Sequence, residues 1–136
     1  MHQGRQEKSC IIDPESDRLA AAIVDAALKV HRALGPGLLE SVYEACLLHE
    51  LKSRDIPCQS QLSLPVRYEG LRVDAGLRLD LLVGQRVVVE LKAVDSLLPI
   101  HEAQLMTYLK LSDLRLGLLI NFNVRLLKDG IKRIVF

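Results

Sequence analysis

Glu90, Lys92 and Asp80 combine residue types and spacings that could do metal-assisted chemistry on a phosphate. Glu90 and Lys92 lie two apart in the run Val87-Val88-Val89-Glu90-Leu91-Lys92-Ala93-Val94. Its β-branched content predicts a strand. Its near-continuous apolar character predicts a strand covered on both faces. Successive strand side chains alternate, so the carboxylate and the ammonium point the same way. Each ion costs several kcal/mol to bury unless it is paired or metal-bound. Asp80 is another acid within an apolar run, Leu77-Arg78-Leu79-Asp80-Leu81-Leu82-Val83. If Asp80 faces Glu90, two hard oxygen ligands with an open coordination sphere suit Mg²⁺ or Mn²⁺, which then binds substrate phosphate. Lys92 alongside could orient a water or stabilise charge on that phosphate.

Register decides whether the acids meet. A three-residue or bulged turn around Gly84 to Arg86 puts Asp80 and Glu90 on one face, and a two-residue turn puts them on opposite faces. Gly84 suits a bulge. The competing structural reading is an ion pair of Lys92 with Glu90 or Asp80.

Two helices offer further candidates. Glu40 and Tyr43 follow Gly37 at three-residue intervals, which places them on one helix face, with Glu44 one turn beyond Glu40. A first-turn glutamate favoured by the helix dipole is the structural alternative. Gln104 and Tyr108 are spaced i, i+4, with His101 one turn earlier; there the alternative is a core-edge tyrosine beside a solvated glutamine.

The elements that must position these groups are legible from periodicity. A helix is expected from about Asp17 to Leu34, with Ser16 or Asp17 as N-cap and Gly35-Pro36-Gly37 as its stop. A second helix spans about Leu38 to Arg54, its stripe formed by Leu39, Val42, Tyr43, Cys46, Leu47 and Leu51. Period-two alternation at Leu62, Leu64, Val66 and Tyr68 predicts a strand that turns at Glu69-Gly70. The next strand covers about Leu71 to Val83, with a break near Asp74-Ala75-Gly76, and a third covers about Arg86 to Val94. Pro99 precedes a helix from about Ile100 to Leu111. Leu116 to Phe122 reads as a covered strand, and Ile131 to Phe136, after the turn Lys128-Asp129-Gly130, as a closing strand. The order ααβββαβ with a short closing strand is that of an α/β fold. Its consecutive strands are antiparallel, and one strand returns parallel through a helical crossover.

At 136 residues, 49% of them hydrophobic, the chain suits one domain, expected over 17–136, with 1–16 as a flexible lead-in. A net charge of +1 gives no global argument for nucleic acid. Between Lys110 and Phe136, however, six Lys/Arg stand against Asp113 and Asp129, a local net of +4 that could face phosphates or solvent. Cys10, Cys46 and Cys58 lack metal-site spacing, and their odd number favours a reducing cytoplasm. No apolar stretch has the length of a membrane span, and the polar N-terminus lacks a signal peptide's apolar segment. No membrane partner is therefore expected. Five aromatic residues and no tryptophan argue against a base-stacking platform.

Taken in order, Gly37-Leu38-Leu39-Glu40-Ser41-Val42-Tyr43, Arg78-Leu79-Asp80, Glu90-Leu91-Lys92 and Gln104-Leu105-Met106-Thr107-Tyr108 resemble the motifs of the GxxExxY proteins, a branch of the PD-(D/E)XK nuclease-like superfamily. Gly117-Leu118-Leu119-Ile120-Asn121-Phe122-Asn123 resembles the family's next strand, and the likeness runs from about Leu19 to Val135. It implies a restriction-endonuclease-like core, a small mixed β-sheet flanked by helices. It further implies a metal-dependent nuclease hydrolysing phosphodiesters of DNA or RNA, with Mg²⁺ or Mn²⁺ as cofactor and nucleic acid as partner. Under the resemblance Asp80, Glu90, the Leu91 carbonyl and Glu40 bind metal, Lys92 assists the attacking water, and Gln104 and Tyr108 line the site and approach the phosphate. Leu79 replaces the proline that gives the superfamily its name; that proline is not a ligand. The superfamily also contains inactive members, so the alternative is a nuclease-fold module that binds nucleic acid or protein. A homodimer would let so small a nuclease span two strands.

Overall fold

A computed structural model of the chain describes residues 11–136. Helix α1 (Pro14–Leu34) packs with α2 (Glu40–Ser53) on one face of a five-stranded sheet, and α3 (Pro99–Ser112) covers the other. The strands are β1 (Cys58–Ser63), β2 (Val66–Tyr68), β3 (Leu71–Val73), β4 (Arg78–Val83), β5 (Val87–Lys92), β6 (Leu116–Asn121) and β7 (Ile131–Val135). The main sheet runs β1-β4-β5-β6-β7, and β2 and β3 form a separate hairpin. Only β5 and β6 are parallel, joined through α3, as the crossover expectation requires. Their central place explains their composition: both are buried along nearly their whole length.

Several boundaries differ from the sequence reading. Helix α1 starts at Pro14, capped by Asp13, whose carboxylate accepts hydrogen bonds from Ser16 N and Ser16 Oγ at 3.0 and 2.7 Å. Pro14 sits at the first helical position, where its missing N–H is harmless. The expected lead-in falls for residues 1–10, including Cys10, outside the described residues. Cys46 and Cys58 are free thiols. Among the described residues five strands, rather than three, precede α3. The expected strand at 62–68 is divided into β1 and β2 around Leu64-Pro65, where proline cannot donate to a ladder. The expected strand at 71–83 is divided into β3 and β4 at 74–77. The stripe of α2 is narrower than expected: Tyr43, Leu47 and Leu51 are buried, but Leu39 is 74% exposed because it caps the helix instead of belonging to it.

The connection Gly84-Gln85-Arg86 between β4 and β5 sets the register. Gly84 and Gln85 both have left-handed φ, 59° and 61°. A Cβ on Gly84 would lie 2.6 Å from Leu19 Cδ1, so α1 packs against the turn itself. With three residues in the connection, Val83 pairs with Val87, Leu82 with Val88 and Leu81 with Val89. The next residues in that register are Asp80 and Glu90.

Candidate active site

Asp80 and Glu90 face one another where the β4–β5 ladder ends, and each carboxylate takes over a backbone donor. Glu90 Oε2 accepts the Asp80 N–H at 3.0 Å, and Asp80 Oδ2 accepts the Leu91 N–H at 2.8 Å. Glu90 is 5% exposed. Burial foremost, and then the charge of Asp80, push the Glu90 carboxyl up to about 8. Burial raises Asp80 as well, against the lowering effects of the Leu91 N–H and the Lys92 ammonium. Two acids held this close cannot both ionise freely, so they share protons as a pair.

Lys92 comes two residues after Glu90 and lowers both acids through its charge. Among the described residues no salt bridge joins it to either carboxylate, so the simple ion-pair reading is not what the fold forms. Its strand end is pinned. Lys92 O accepts the Phe122 N–H at 2.9 Å. Asn121, paired with Lys92 in the parallel register, donates from Nδ2 to Val94 O and accepts Val94 N–H and Asn123 N–H at Oδ1. Fully buried, Asn121 fixes the backbone that presents Lys92.

Groups from both helical layers interact with the acids through charge. From α3, Tyr108 is buried, and its hydroxyl is raised first by burial and then by the charges of Glu90 and Asp80. Gln104, one turn earlier, is exposed and makes no hydrogen bond among the described residues. His101 has a structural task, its Nδ1 accepting the Leu98 N–H at the start of α3. From α2, Glu40 is exposed at the first helical position, and its charge raises both Glu90 and Glu44. Glu44 is raised by burial and then, more weakly, by Asp80 and Glu40.

The Gly37–Glu40–Tyr43 spacing has a clear structural basis. Tyr43 is fully buried. Its hydroxyl donates to Gly35 O at 2.6 Å and accepts the Leu38 N–H at 3.1 Å, closing the turn that begins α2. The ring stacks on Phe122, with centroids 4.5 Å apart. Gly37, at φ 99°, makes that turn with a conformation few other residues adopt. Tyr43 thus ties the start of α2, and with it Glu40, to the strand end beside Lys92.

Gln61 escaped the sequence reading. The flanking pairs Ser60 with Leu81 and Leu62 with Leu79 place it opposite Asp80 on β1. Its φ of 52° is unusual for a non-glycine residue in a strand. The strand alternation changes at the same level: Leu79 packs in the cluster beneath α3, while Leu81, two residues on, packs beneath α1 and α2. Gln61 Nε2 donates to Glu44 Oε1 at 2.8 Å, and the side chain also lowers the Asp80 carboxyl. Arg78 holds the Gln61 carbonyl from the next strand at 3.3 Å. Nothing in the local sequence Gln59-Ser60-Gln61-Leu62 signals a left-handed residue.

Among the described residues no group of three His, Cys, Asp or Glu side chains forms a ready cage for a metal ion. The Asp80–Glu90 pair nevertheless fits a divalent cation of the Mg²⁺ type. Such ions bind through one or two carboxylates and keep their remaining positions for water and substrate phosphate. The raised acids are chemically consistent with a site that gains from an added positive charge.

Residues 17–134 match the family model of the PD-(D/E)XK nuclease superfamily. The chain belongs to that superfamily. Its mixed sheet flanked by helices is the corresponding restriction-endonuclease-like architecture. No curated protein and no solved structure matches the chain. No helix among the described residues is long and apolar enough to cross a membrane.

Proposed function

We propose that the chain is a metal-dependent nuclease of the GxxExxY branch, hydrolysing phosphodiester bonds of nucleic acid in the cytoplasm with Mg²⁺ or Mn²⁺. The observation that supports this most is the convergence of half-buried Asp80 and buried Glu90, facing one another, with Lys92 on the same strand. Asp80 and Glu90 would hold the cation, with the Leu91 carbonyl and Glu40 as further oxygen donors. When bound, the cation supplies charge for the phosphate and lowers the pKa of water. Lys92 positions the attacking water and offsets negative charge gathering on the phosphate. Tyr108, on α3, would donate a hydrogen bond to a phosphate oxygen. Gln104 extends the α3 side toward solvent, and Gln61 orients Asp80 and Glu44.

The test is incubation of the purified protein with single- and double-stranded DNA and RNA in Mg²⁺ or Mn²⁺. Wild type is expected to cleave at least one of these, and Lys92→Met and Glu90→Ala to abolish cleavage. Absence of cleavage of all four, or equal cleavage by the variants, contradicts the reading. Sedimentation of the same samples with substrate tests whether two chains act together.

A second reading is a non-catalytic binding module on this fold. The reciprocal hydrogen bonds of Asp80 and Glu90 favour it, since they engage one oxygen of each carboxyl without a cation. Under it nucleic acid is bound with no turnover in any metal, and thermal stability does not respond to millimolar Mg²⁺ or Mn²⁺.

A further inference from the structure

A basic groove of about 530 Å³ lies at the carboxyl ends of the parallel strands β5 and β6, between the end of α1 and the segment that follows β6. Arg32, Arg125 and Lys128 line it, and none of its lining residues is acidic. All three cations are exposed. Among the described residues none of them forms a salt bridge. Other basic residues of the C-terminal segment are differently engaged: Lys132 with Glu102, Arg133 with Asp17, Arg115 with the Phe136 carbonyl, and Lys110 over the Phe136 ring. The local positive excess seen in the sequence is therefore concentrated where Arg125 and Lys128 join Arg32.

The walls of the groove are fixed. His31 Nε2 donates to the Val124 carbonyl at 2.8 Å, holding the segment before Arg125 against α1. Phe122 is buried beneath it, stacked on Tyr43. Leu127 to Gly130 form a 3₁₀ turn that carries Lys128. Gly35 and Pro36 form the remaining edge. Immediately beyond that turn, Leu38, Leu39, Glu40, Ser41 and Ala93 line a second depression. The basic groove and the depression that holds Glu40 and Ala93, the residue after Lys92, are thus neighbours across one turn, closed by the Tyr43 hydroxyl.

We propose that this groove carries the backbone of one nucleic-acid strand past the Asp80–Glu90 site, with Arg32, Arg125 and Lys128 contacting phosphates on one side of the bond to be cut. The proposal rests on the nuclease reading for its occupant. The charge pattern supports the division of labour. The site itself is rich in carboxylates and repels a polyanion, so attraction must come from beside it. Contacts of this kind position a strand without reading its sequence.

The test is fluorescence anisotropy of labelled single-stranded and duplex oligonucleotides in EDTA, which prevents turnover, over a salt series. The proteins are wild type and the triple variant Arg32→Ala, Arg125→Ala, Lys128→Ala. The exposed positions allow the variant to fold, which its thermal midpoint checks. The variant is expected to bind roughly 10- to 100-fold more weakly, with the slope of log K against log salt smaller by about 2 to 3, the loss of about three phosphate contacts. Inorganic phosphate and polyglutamate are expected to compete only weakly with the oligonucleotide. The proposal is overturned if wild type does not bind nucleic acid, if a folded triple variant binds with unchanged affinity and salt slope, or if polyglutamate competes as well as the oligonucleotide. Binding that depends on the groove, without cleavage in any metal, would leave the groove standing and overturn the nuclease reading. Cleavage indifferent to the three substitutions would do the reverse.

Discussion

Asp80 and Glu90 exchange backbone donors across the end of the β4–β5 ladder, the Glu90 carboxylate accepting the Asp80 N–H and the Asp80 carboxylate accepting the N–H of Leu91. Two acids take the place of a rung of sheet hydrogen bonding. This holds them face to face, at an electrostatic cost that appears as raised pKa values for both. Pre-organisation of that kind limits the rearrangement that ligand binding must drive.

Metal-free stability should depend on pH through Glu90. Its folded pKa is raised from 4.5 to about 8, chiefly by burial and then by Asp80. A raised folded value means that the folded state holds the proton more tightly. The resulting stabilisation is fully present below the unfolded pKa and is lost as pH rises through the folded one. In EDTA, wild type is expected to lose stability between about pH 4.5 and 8, on the order of a few kcal/mol. Glu90→Gln should flatten the profile. Urea midpoints at a series of pH values measure both, and a flat wild-type profile contradicts the expectation.

Tyr43→Phe should destabilise the fold by about 1–3 kcal/mol, because a buried hydroxyl that serves Gly35 O and Leu38 N is removed while the ring stacking is kept. Denaturant unfolding reads the stability. Cleavage should also fall at a temperature where the variant is fully folded, since the turn that places Glu40 loses its anchor. An unchanged unfolding midpoint would show that the hydroxyl does not secure the turn.

Gln61→Gly separates backbone from side chain. Glycine accepts the φ of 52° without steric penalty, so relief of roughly 1 kcal/mol of backbone strain offsets part of the loss of its hydrogen bonds. Stability is expected to change by less than about 1 kcal/mol, well below a typical core substitution. Cleavage should drop several-fold, because Glu44 loses its hydrogen-bond partner and Asp80 the amide that lowers its carboxyl. Gln61→Ala, with the strain retained, should be the less stable of the two. Equal activity of Gln61→Gly and wild type would remove Gln61 from the site.

Much of this arrangement was legible in the sequence because it rests on local rules. The covered strands β5 and β6 announce themselves through unbroken apolar runs. Pro99 marks the start of α3, and Gly84 permits the three-residue connection on which the register depends. What escaped was set by tertiary context. Strand β1 lies at the sheet edge, and its polar start Cys58-Gln59-Ser60-Gln61 carries no strand signal ahead of Leu62. Gln61 is left-handed only because it opposes Asp80 at a change in strand facing. Leu39 and Val42 look like core and are exposed, whereas Pro14 is a helix-start signal that the fold uses at the first position of α1. Asn121 is a polar residue closing an apolar run, and its three hydrogen bonds to the chain beyond β5 and β6 follow only from the parallel pairing.

The proposed chemistry requires that Asp80 and Glu90 together hold a divalent cation. Isothermal titration of Mn²⁺ into the metal-free protein tests this most directly, with Glu90→Gln and Asp80→Asn run alongside and their folding checked by circular dichroism. One Mn²⁺ per chain is expected for wild type, with binding lost or strongly weakened in each variant. No binding to wild type at millimolar Mn²⁺, or binding unaltered by both substitutions, would contradict the account.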